Sequence, residues 1–139
     1  MTIVGFNFTK IRVEKTDAIK GKINISNNVS IKEVTETDLS LGTAKQKGIK
    51  FSFVFSSSYE PKIGVIELEG DVLSLEEAKK VKEILDSWKK DKQVPKETMT
   101  QILNNVLAKC NIEALLLSRE VNLPPPIPMP KVSVDDKAQ

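Results

Sequence analysis

Few side chains in this sequence could carry chemistry. Glu67, Glu69 and Asp71 alternate along one stretch, so on a strand the three carboxylates share a face. Converging in a pocket, they could serve a carboxylate-based or metal-carboxylate enzyme. On a solvated outer face they would simply oppose Ile66, Leu68 and Val72, which then point inward together. The chain has no histidine, which removes the commonest general base, the usual catalytic triads and most zinc chemistry. Its glycines are scattered singly, without a phosphate-cradling loop. One cysteine, Cys110, excludes an internal disulfide and a cysteine metal cluster, and its apolar helix face suits a small core residue. No catalytic residue, cofactor or metal is assigned.

What remains is recognition by apolar burial. Phe51, Phe53 and Phe55 put three rings on one face of a strand. They either floor a groove or pack beneath helices. Val121, Leu123, Ile127 and Met129 lie within a run whose five prolines, between Pro124 and Pro130, forbid helix and central strand. A polyproline rod with an apolar side follows, expected to lie along the protein surface at least as far as Ile127.

The helix before this arm must position it. Met99, Ile102, Leu103, Val106, Leu107, Cys110, Ala114 and Leu117 recur at steps of three and four, with Pro95 fitting the first turn. Ile112, Leu115 and Leu116 widen the stripe until the helix is apolar nearly all round, which calls for cover on two sides. One cover is the chain's own sheet. The other is a second subunit, a bound apolar segment, or more of the same monomer's core.

Upstream, residues 3–15 read as a strand with a bulge near Thr9-Lys10, where the apolar parity switches. Residues 22–37 tempt one to place a hairpin at Asn27-Asn28, but a two-residue turn there would put Ile25 and Ile31 on opposite faces. One long strand, with a bulge before Val34, keeps them together. Residues 38–47, with Gly42, read as a connection, 48–59 as a third strand, Glu60-Pro61-Lys62 as a turn, and 62–73 as a fourth strand. Ser74 and Glu77 have the spacing of a capping box, opening a helix with a narrow stripe of Ala78, Val81, Leu85 and Trp88. Four strands followed by two helices imply an α+β fold, an antiparallel sheet with helices on one side.

The length of 139 residues suits one domain, read as 1–132 with a disordered tail from Ser133 to Gln139. A net charge of +2 gives no ground for nucleic-acid binding, and no apolar run suits membrane insertion. The lack of a secretory signal pattern and of paired cysteines points to the cytoplasm.

With this order established, residues 3–130 resemble the SecB family of export chaperones and its SecB-like relatives. A strand containing Gly70 leads into a short helix and then a longer one through Leu115-Leu116-Leu117-Ser118-Arg119. The segment Asn122-Leu123-Pro124-Pro125-Pro126-Ile127-Pro128 is similar to the proline-containing arm of SecB, with the order of Asn-Leu and Pro-Pro reversed. The resemblance implies a Greek-key sheet, assembly as dimers and tetramers, and ATP-independent holding of unfolded polypeptides in apolar grooves. The cysteine-containing zinc tail that docks many SecB proteins on the export ATPase has no counterpart in Ser133–Gln139.

Two functions of different class follow. A holdase would bind polypeptide through Phe51, Phe53, Phe55, Leu116, Val121, Leu123, Ile127 and Met129. An oligomeric interaction module without chaperone activity would spend its apolar surface on self-association, with Val81, Leu85, Trp88, Ile112 and Leu115 at the interface.

Overall fold

Four strands, β1 (Thr2–Lys15), β2 (Asn24–Leu41), β3 (Ala44–Glu60) and β4 (Gly64–Leu75), precede two helices, α1 (Ala78–Asp91) and α2 (Lys96–Glu120). They are seen in a computed structural model that describes residues 2–41, 44–130 and 132. The sheet order is β1-β4-β3-β2, with every pair antiparallel. Strands β2, β3 and β4 are neighbours in sequence and in space, and β1 lies beside β4, so the connection 16–23 crosses the whole end of the sheet. This is Greek-key order. The crossing is tied down where it passes the β3–β4 turn: Thr16 N–H donates to Ile63 O at 2.8 Å.

Side-chain parity decides the register. Asn27 pairs with Ser57 and Asn28 with Ser56 in an unbroken ladder, so β2 runs straight through the two asparagines. The register shifts between Ile31 and Glu33 and between Phe8 and Lys10, the places where the apolar pattern changes parity. Each bulge lets the chain keep its apolar residues on the helix side despite an extra residue.

Two expectations need correction. Residues 38–47 are not a connection. Asp38 pairs with Lys47 and Leu41 with Ala44, so β2 and β3 extend as a two-stranded ribbon; the expected turn glycine, Gly42, lies outside the described residues. Both faces of such a ribbon can be solvated, so it needs no apolar alternation, and an ion pair from Lys47 to Glu36 at 3.0 Å joins the strands. Nor does Ser74 cap a helix. It pairs with Ile3 and Ile49 inside the sheet, its hydroxyl is buried without a hydrogen-bond partner among the described residues, and Glu77 is the N-cap of α1. The inward parity of β4, Ile66-Leu68-Gly70-Val72-Ser74, carries the strand past the capping signal.

Both helices lie on one face of the sheet, α1 over β2 and β3, α2 across β4, β3 and β2. Helix α1 buries Val81, Ile84 and Trp88, with Leu85 only partly covered. Helix α2 buries Thr98, Ile102, Val106, Cys110, Ala114 and Ser118, a seam that advances by four. Beneath them sit Phe51, Phe53 and Phe55, at most 1% exposed, with Ile49, Ile66, Leu68 and Val72. Each buried phenylalanine stabilises the fold by about 1.5–3 kcal/mol. Phe6 extends this core onto β1 by stacking on Phe53 at 5.2 Å. Neither helix covers β1 to a comparable extent, so Phe6, Phe8 and Val13 stay half-buried and Ile11 is 49% exposed.

Candidate functional site

The carboxylates of β4 face away from the helices, into an array of cations. Glu67 accepts from Lys10 at 3.1 Å and also pairs with Arg12; Glu69 lies 3.4 Å from Lys10 and 3.7 Å from Lys32. Asp71 accepts from the Ser52 hydroxyl at 2.8 Å. Hydrogen bonds from Lys10 and Arg12 hold the Glu67 carboxyl below its ordinary range, which suits a permanently charged surface group rather than a proton donor. Cys110 is fully buried, and burial pushes its thiol up to about 12, so no thiolate forms near neutral pH.

The proline arm is the more distinctive feature. Helix α2 ends in a left-handed turn at Asn122, φ 57°, a conformation asparagine tolerates, and Leu123 N–H returns to Ser118 O at 2.8 Å. That turn drives Leu123, 5% exposed, down onto the start of β4, where a Cβ on Gly64 would come within 3.1 Å of it. Beyond Leu123 the arm crosses the helix side of β2 and β3, where α2 no longer covers them. Tyr59 Oη donates to Pro124 O at 2.6 Å, Asn27 Nδ2 donates to Pro126 O at 2.7 Å, and Ser57 Oγ donates to Asn27 Oδ1 at 2.6 Å. Proline has no N–H, so residues 124–126 offer carbonyls only, and the sheet meets Pro124 O and Pro126 O with side-chain donors. Desolvation under the arm pushes the Tyr59 phenol up to about 12.

A cleft opens on each side of the arm. One, of about 520 Å³, lies between Ile19 of the β1–β2 crossing, Leu115 and Arg119 of α2, and Leu123 to Pro125. The other, of about 460 Å³, lies between Ile25 and Asn27 of β2 and the arm from Pro124 to Met129. A cleft of about 540 Å³ by the β3–β4 turn differs in character, being ringed by Arg12, Glu14, Asp17, Glu60 and Lys62. Apolar surface also continues along α2, where Ile112 is 62% and Leu116 46% exposed. Both follow Lys109 on its side of the helix, and Lys109 Nζ sits 5.9 Å over the Phe6 ring, so this side looks toward β1.

The residues expected to bind polypeptide are thus divided. Ile127 and Met129 line the second cleft and Leu123 the first. Leu116 is exposed on α2, and Val121 is half-buried against the core. Phe51, Phe53 and Phe55 lie under the helices and offer no accessible surface to a groove, because both helices pack on their side of the sheet. Of the residues expected at a subunit interface, Val81 and Trp88 face their own core, Leu85 packs against its edge, Leu115 lines the first cleft, and Ile112 is exposed. Sequence reasoning missed Ile19, Ile25, Asn27, Ser57 and Tyr59. One signal was present: Ser57 and Tyr59 continue the buried parity of the phenylalanines with hydroxyls, as a strand does when its cover turns polar.

The Greek-key sheet with its helices on one side is a SecB-like fold. The chain is similar in structure to a SecB-like chaperone of Mycobacterium tuberculosis in complex with a ChAD peptide from the HigA1 antitoxin, with a TM-score of 0.50 and 12% identity over 95% of this chain and 89% of that one. At that identity the likeness is one of fold. No family model and no curated protein matches the sequence.

Proposed function

We propose that this protein is an ATP-independent holdase that captures extended apolar segments of unfolded polypeptides along its proline arm. The observation that carries the reading is the pair of largely apolar clefts flanking the arm, one of about 520 Å³ walled chiefly by Ile19, Leu115, Leu123 and prolines, the other of about 460 Å³ walled chiefly by Ile25, Ile127, Met129 and prolines. Such surfaces bind by burial rather than by reading sequence, and the flexible Met129 side chain adapts to varied partners. A client strand following the arm would meet Ile19, Leu115 and Leu123 on one side and Ile25, Ile127 and Met129 on the other. Burial needs no cofactor and no covalent step, so no catalysis is proposed. The peptide-holding SecB-like chaperone of similar fold supports a polypeptide partner. A cytoplasmic setting and a link to protein export belong to the same proposal.

The test is light-scattering mass of the purified protein with a reduced, unfolded client and with the same client folded. The expected outcome is a complex with the unfolded client alone, together with suppression of its aggregation at stoichiometric ratio. A protein that leaves aggregation unchanged at that ratio is not a holdase.

A second reading has its own observation. Ile112, Leu116 and Ile11 together leave an apolar strip open beside the edge strand β1. A homo-oligomer, dimer or tetramer, would cover it, and a protein that self-associates through this strip while ignoring unfolded clients would be an interaction module.

A further inference from the structure

We infer that Asn27, Ser57 and Tyr59 are positioning residues that latch the proline arm at a fixed rotation, so that one edge of the arm serves as the common wall of both clefts. The role in binding rests on the holdase reading; the latch itself stands on geometry alone.

Three features carry it. First, the polarity is one-directional. Tyr59 and Asn27 donate to Pro124 O and Pro126 O, and the three consecutive prolines 124–126 have carbonyls to offer and no N–H to leave unpaired. Second, Asn27 does not hold its own orientation. The Ser57 hydroxyl donates to its Oδ1 at 2.6 Å from the opposite strand, which assigns the amide nitrogen to the arm. Third, the two bonded carbonyls lie two residues apart and Pro126, which carries the second, is itself buried, so rotation of the rod about its axis breaks both bonds together. Leu123 pins the near end of the arm against Gly64, but a pin at one end leaves rotation and lift free. The latch removes both, and it determines that Pro124 and Pro125 face both clefts and that Ile127 and Met129 face the second.

The experiment places a spin label on the full-length chain at Pro130→Cys, just beyond the latch; Cys110 is buried and stays unlabelled. In the parent the label is expected to report a single immobilised arm. Asn27→Ala and Tyr59→Phe should each raise the mobile-to-immobile ratio about 2- to 10-fold, the span of one neutral hydrogen bond. Ser57→Ala should act through Asn27 alone: it resembles Asn27→Ala by itself and adds nothing to it in the double variant. Trp88, the chain's one tryptophan, is on the buried side of α1 and reports folding separately from the arm. Unchanged mobility in folded Asn27→Ala and Tyr59→Phe would overturn the latch, as would additive effects of Ser57→Ala and Asn27→Ala. Client capture is measured on the same variants. If the parent captures no client the holdase reading falls and the latch stands; if the arm loosens and capture weakens in proportion, both stand.

Discussion

Tyr59 concentrates the tension of the site in one side chain. Its phenol is 1% exposed, donates to Pro124 O, and is pushed up to about 12 by desolvation. A raised folded-state value means that the folded protein holds the proton more tightly than the unfolded chain does. The associated stability is therefore complete below the ordinary phenol range near pH 10 and lost as pH rises toward 12. It amounts to about 2–3 kcal/mol at most. Cys110, pushed up by burial to about 12, adds to the same alkaline loss. Urea unfolding at pH 9 and pH 11 should thus show a steeper loss in the parent than in Tyr59→Phe, which keeps the ring and removes the ionisation; equal losses would assign the whole effect to other groups. Gly70 is a second decisive residue. A Cβ there would lie 2.2 Å from Asn7 O on β1 and 2.8 Å from the Phe53 ring. Neither a strand backbone nor a packed ring gives way cheaply, so Gly70→Ala should cost about 1–3 kcal/mol in denaturant unfolding.

At the scale of elements, the outer faces of β1 and β4 and the end of α2 make contrasting forecasts. The pairs of Lys10 and Arg12 with Glu67 are well formed but exposed, with 29% of the Glu67 side chain open to solvent. Exposed pairs contribute little after side-chain entropy and screening. Glu67→Gln should change stability by less than about 1 kcal/mol, the small effect shrinking further at high salt, because the strands are held by their ladder and inner face. The end of α2 is less forgiving. Asn122 holds φ 57° so that Leu123 can reach the start of β4. Asn122→Gly should be neutral or slightly stabilising, whereas Asn122→Ile should cost about 1–3 kcal/mol and loosen the arm, read by thermal unfolding and by the spin label at residue 130. The arm is thus aimed by one left-handed residue and fixed by three polar ones.

Across the whole molecule, the unequal cover of the sheet is what matters. The helices close over β2, β3 and β4 but leave the inner side of β1 with half-buried Phe6, Phe8 and Val13 and exposed Ile11. Ile112 and Leu116 are open on the side of α2 that looks toward this strip, so replacing both by Asp should leave the unfolding transition nearly unchanged while altering association. If the strip joins subunits, light scattering should show the mass of the doubly substituted chain falling toward that of one chain. If it takes client, the mass alone stays constant and the complex with unfolded client weakens instead.

The sequence by itself determined every element whose cause is local. Parity carried β2 through Asn27-Asn28 and located its bulge before Val34, because a slip of one residue would turn every apolar side chain to water. Spacing and prolines likewise placed α2 and ended it at the arm. Tertiary structure decided what depends on cover. The ribbon at residues 38–47 and the inward Ser74 follow from strand pairing across the sheet, which outweighs a turn glycine or a capping pair. Phe51, Phe53 and Phe55 had the right chemistry for a groove floor, but whether a ring is floor or core depends on where helices distant in sequence come to lie. The donors Asn27 and Tyr59 meet the arm's carbonyls 99 and 65 residues away. A contact of that separation leaves no periodicity in the chain, and only folding brings its partners together.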